Sequence, residues 1–161
     1  MTKGESINYI ETKSEYKVLT KIHGEPNYKS IRLLFNQVKA NAASVPSNLG
    51  GGAHGHLGLV LTPAKYALVS AVPFDWPAHP GPYVLPQNGT AAQIAATKEI
   101  HEEAMQVLRE VLNVKAALHQ QIVSAIDNKY LTAICDRQTN AIRMNVSDII
   151  IDGFLVESIF L

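Results

Sequence analysis

Chemistry is most easily sought in the glycine- and histidine-rich stretch 44–58. Gly50, Gly52 and Gly55 stand in the G-x-G-x-x-G spacing of a dinucleotide-binding turn. Such a turn works only where it leaves a strand and opens a helix, so that backbone N–H groups meet a pyrophosphate. Here the preceding residues 44–48 have no strand pattern, and the following 57–61 do not open a helix. The same glycines match the spacing of a phosphate-binding loop, but His56 stands where a lysine must neutralise phosphate. The reading that needs no ligand is a flexible or tightly turned loop.

His54 and His56 would share a face if this stretch were extended. They are the only metal candidates, and two imidazoles do not make a zinc site, which needs three or four ligands. No Asp, Glu or Cys lies beside them, so loop histidines are expected. His101-Glu102-Glu103 begins like a zinc-protease helix, but Met105 stands where the second histidine belongs. The expectation there is a solvated helix face. Cys135 is the single cysteine; Asp136 beside it disfavours a thiolate, so it reads as structural. No G-x-S-x-G elbow occurs. No catalytic residue, cofactor or metal is therefore assigned, and an enzyme is not expected. Trp76, with Phe74 and Tyr83, lies among prolines, where a large ring either pins a loop to the body or anchors a partner.

The element that must position these residues is the long helical pattern 90–130, free of Pro and Gly. Val107, Val111, Val114, Leu118, Ile122 and Ala125 form one stripe at steps of three and four, and Met105, Leu108 and Leu112 widen it. One continuous helix of that length would span roughly 60 Å, which makes a bend near Asn113 plausible. Thr90 and Gln93 form a capping box at its start. A second helix is expected over about 26–43, with Pro26 near its first position and Ile31, Leu34, Phe35 and Val38 on its apolar face. A short strand at 57–61 and a helix over 62–71, capped by Thr62, lie between them. Residues 72–89 hold Pro73, Pro77, Pro80, Pro82 and Pro86 and read as an extended connection. The core is expected from Phe35, Val107, Val111, Leu118 and Ile122.

The fold class is thus mainly α: a small helical domain organised on one long helix, with a Gly-rich loop, a Pro-rich loop and short strands as an option. The domain covers 22–148. Residues 1–21 read as a flexible arm with a short extended piece around Tyr16 to Leu19, and 149–161 as a divergent apolar tail, either strand or helix, with Ser147 as its cap.

The chain has 161 residues, enough for one such core. Its 14 basic and 14 acidic side chains balance, which disfavours strong nucleic-acid binding. One cysteine excludes an internal disulfide and suits a reducing compartment, so a cytoplasmic location is expected. The N-terminus is polar and has no signal-peptide pattern. The apolar run at the end is too short to cross a membrane, and Asp152, Gly153 and Glu157 interrupt it.

The run 22–28 (IHGEPNY) and the run 41–59 (NAASVPSNLGGGAHGHLGL) resemble the N-terminal part of Gag-like polyproteins of copia-type LTR retrotransposons. Stretches 90–94, 114–121 and 127–133 extend the resemblance, which covers about 19–147; the glycine-histidine stretch is its most specific part. The resemblance implies a mainly helical capsid lobe that self-associates around element RNA. In that family a second helical part and a C-x-x-C zinc knuckle follow and bind RNA. A lone Cys135 cannot supply the knuckle, and 149–161 departs from the usual continuation, so the chain reads as an N-terminal fragment or truncated copy. The expected function is structural, by homo-oligomerisation. The alternatives are a small ligand- or metal-binding protein using loop 50–58, and an RNA-binding module.

Overall fold

The computed structural model describes residues 10–132 and Gln138. It is mainly helical, with no strand among the described residues. We label the helices α1 (Tyr28–Ser44), α2 (Pro63–Tyr66), α3 (Ala91–Ala125) and α4 (Asn128–Leu131), with a 3-10 turn at Leu57–Leu59.

Both main helices start where local chemistry prescribes. Asn27 caps α1: its side chain accepts from Ser30 N, and the Ser30 hydroxyl returns the bond to the Asn27 N–H, satisfying two end donors. Pro26 therefore precedes the cap rather than sitting in the first turn. Thr90 and Gln93 form the same reciprocal box at α3. Asn88, left-handed at φ 54, turns the chain into that start, a conformation asparagine tolerates.

The helix α3 runs unbroken through Asn113 for 35 residues, roughly 50 Å. It is shorter than the sequence pattern. Ile126 turns to extended backbone (φ −116, ψ 139), and Asp127 caps the separate short helix α4. Ile126 is itself buried, so the break turns an apolar side chain inward.

Helix α1 lies antiparallel to the C-terminal half of α3. Ile31, Leu34, Val38 and Ala42 of α1 and Val111, Val114, Leu118, Ile122 and Ala125 of α3 are all buried in one core. Segment 16–22 is laid along both helices. Tyr16 pairs with Asn41 and Thr20 with Gln37, and Ile22 N donates to Ala125 O at 2.7 Å. Residues 10–13 are helical, and Ile10, Leu19 and Ile22 are buried. The described part of 1–21 is thus a packed segment, not a free arm. Its polar residues obscured this, because only one residue in several points inward.

Three further expectations change. Residues 57–61 form a 3-10 turn, not a strand: Leu59 N bonds His56 O and Val60 N bonds Leu57 O, a helical spacing that turns Leu59 and Val60 inward. The helix at 62–71 is a single turn, Pro63–Tyr66, followed by looser turns to Ser70. Val107 is 38% exposed and outside the core, because α1 and its following loop end below it. Phe35 is half-buried at the rim, with Lys39 Nζ 4.7 Å from its ring centre. Ser147, Cys135 and the tail 149–161 lie outside the described residues.

Candidate functional site

The glycine-histidine stretch packs against the body of the protein. A Cβ on Gly58 would overlap the Phe74 ring, and one on Gly50 would overlap the Tyr66 hydroxyl. Gly55 is left-handed (φ 51), and a Cβ there would strike the carbonyl oxygens of Ala43 and Val45 at the end of α1. Glycines stand here because the backbone lies flush against rings and carbonyls. The spacing that resembled a phosphate turn is a product of that packing.

His56 is the pivot of the stretch. It is 1% exposed; its N–H donates to Ala42 O at 2.9 Å and its ring Nδ1 to Val45 O at 2.8 Å. A carbonyl can only accept, so the ring proton sits on Nδ1. Burial pushes the His56 imidazole below its ordinary range, opposed by the Val45 bond and by the Glu110 carboxylate. His54 points elsewhere: its ring meets Tyr66 edge-on, with centres 6.3 Å apart. The two histidines therefore do not converge. No group of three His, Cys, Asp or Glu side chains able to hold a metal occurs among the described residues.

The aromatic residues form a ladder beside this loop. Tyr66 meets Phe74 at 6.0 Å and Phe74 meets Trp76 at 6.3 Å, both edge-to-face. Tyr66 is buried and donates to Gly50 O at 3.2 Å, and Phe74 packs on the core. Trp76 ends the ladder at 45% exposure, with Lys115 Nζ 5.7 Å from its ring centre. Tyr66, Phe74 and Trp76 line an open cleft of about 410 Å³ with Pro63, Ala67 and Pro73. Of the three residues expected at an interface, Trp76 alone is exposed. Phe74 pins the loop instead.

Tyr83 belongs to a different contact. The Pro-rich segment after Trp76 folds back as a strap along the first half of α3. Tyr83 OH donates to Ile94 O at 3.2 Å, its ring meets His101 edge-on at 5.7 Å, and His101 Nε2 donates to Gly81 O at 2.8 Å. His101 is thus a strap anchor, half-buried, and not part of a solvated face.

The opposite flank of this half-helix has no cover among the described residues. Ile100 is 65% exposed and continues, through Val107, the same stripe that is buried from Val111 onward. Glu99, Glu103 and Glu110 are exposed along that flank. The sequence stripe revealed these positions but not where its partner would run out.

No protein-family model, curated protein or solved structure matches the chain. No helix among the described residues is long and apolar enough to cross a membrane.

Proposed function

We propose that this chain is a structural protein acting by self-association, a Gag-like capsid lobe of the copia-type LTR retrotransposon kind. The observation that supports this reading is the mismatch between the long helix and its core. Residues 111–125 of α3 are buried against α1, whereas 91–110 project roughly 30 Å further, braced on one flank by the Pro-rich strap. Ile100 and Val107 stay exposed on the stripe that is buried from Val111 onward, which offers an apolar face to a second copy.

The test is light scattering coupled to size-exclusion chromatography on the untagged chain over a wide concentration range. Discrete species that grow with concentration are the expected outcome. A strict monomer at every concentration overturns the reading.

A further inference from the structure

The self-associating surface can be specified further, on the assumption that the chain does associate. The unburied part of the α3 stripe carries Ile100 and Val107 with Glu99, Glu103 and Glu110 around them. At 100° per residue, Lys98 and Arg109 fall on the other flank, so this surface is apolar and acidic without a cation of its own. The outward face of α1 is its counterpart. Helix α1 contains Lys29, Arg32 and Lys39 and no Asp or Glu. Lys29 and Arg32 are exposed, and around the helix they are flanked by Tyr28 at 52% and Leu33 at 47% exposure.

Two arrangements could cover the α3 stripe with a second copy. Pairing it with the same stripe of the partner would set glutamates against glutamates, which is repulsive at close range. Pairing it with the outward face of the partner's first helix sets Glu99 and Glu103 against a lysine and an arginine, and Ile100 and Val107 against a leucine and a tyrosine. We infer that the acidic-apolar first half of α3 docks on the basic outer face of α1 in a second copy of this chain. The two surfaces differ, so two copies either exchange the contact reciprocally in a closed two-fold dimer or pass it head-to-tail into a ring or an open chain.

Charge reversal tests this on the full chain. E99K/E103K and K29E/R32E are each expected to raise the dissociation constant at least about tenfold, the effect of turning attraction into like-charge contact. Mixing the two variants is expected to restore association, because each then offers the face the other lacks. A chain carrying all four changes is expected to associate with itself. Circular dichroism and thermal unfolding of each variant check that the exposed changes leave the fold intact. If wild type associates while both reversals are without effect, or if the mixture is not rescued, this contact is wrong and the self-association reading stands. If wild type remains monomeric, both fail. If K29E/R32E leaves association unchanged but abolishes retention of a single-stranded RNA at low salt, the α1 face serves nucleic acid and the docking proposal is overturned.

Discussion

The carboxamide of Asn41 meets that of Gln121, with Asn41 Nδ2 donating to Gln121 Oε1 at 3.0 Å. The same Nδ2 donates to Tyr16 O at 2.8 Å, and Oδ1 accepts from Tyr16 N at 2.7 Å. Asn41 is 0% exposed, so one buried side chain ties together the N-terminal segment, α1 and α3. Replacing Asn41 by Leu fills the space and leaves the Tyr16 N–H and C=O unpaired. The expected loss is about 3 kcal/mol by denaturant unfolding. Gln121 is only half-buried, and Gln121→Leu should cost about 1 kcal/mol or less.

Two left-handed glycines separate conformational strain from close approach. Gly81 has φ 75 with nothing near a built Cβ, so Gly81→Ala should cost about 1 kcal/mol from backbone strain alone. Gly55→Ala adds overlap with two carbonyl oxygens at the end of α1. It should lower stability by about 3 kcal/mol or more and loosen the His56 anchor. Thermal unfolding of the two variants side by side is the check; equal effects would contradict the packing described here.

The α3 stripe makes a similar contrast along one helix. Leu118 is 1% exposed, and Leu118→Ala should cost about 2–5 kcal/mol through lost burial and a cavity. Val107→Ala, at 38% exposure, should change monomer stability by no more than about 0.5 kcal/mol while weakening association.

Acid sensitivity follows from two imidazoles, His56 buried and His119 half-buried. Burial lowers the His56 pKa, and His119 is lowered by burial and then by Lys115. The His119 Nε2 is buried without a hydrogen-bond partner among the described residues. A folded pKa below the unfolded value of 6.5 means that the unfolded chain binds the proton more readily. Stability should therefore be full above pH 6.5 and fall as pH drops through that value, levelling off below the folded pKa. The unfolding midpoint measured from pH 7.5 to 5 should show this slope. His119→Leu should reduce the slope and leave stability at pH 7.5 unchanged or raised, because no bond is lost.

Periodicity made the helical class and the pairing of α1 with α3 readable from the sequence, since Ile31, Leu34, Val38, Val111, Leu118 and Ile122 repeat at helical steps and are buried. Caps were readable because Thr90 and Gln93 carry their own local chemistry. Val107 shares the stripe yet lies outside the core, because periodicity marks a face and says nothing of how far the opposing helix extends. The packing of the segment around Leu19 leaves no repeat in the sequence, because it rests on a few spaced apolar residues and on backbone bonds to the Gln37 and Asn41 side chains. Burial of His56 is not legible in the sequence, because it depends on a carbonyl eleven positions away, Val45 O, aimed by the end of α1.

The Asn41–Gln121 contact also sets a waiting time during synthesis. The two residues are 80 positions apart. At about 5–20 residues per second, translation needs roughly 4 to 16 s between them. Through that interval Ile31, Leu34 and Val38 have emerged without the helix that covers them. The nascent chain is therefore most exposed to misassociation before α3 is complete, and a ribosome pause ahead of Val111 would lengthen that window.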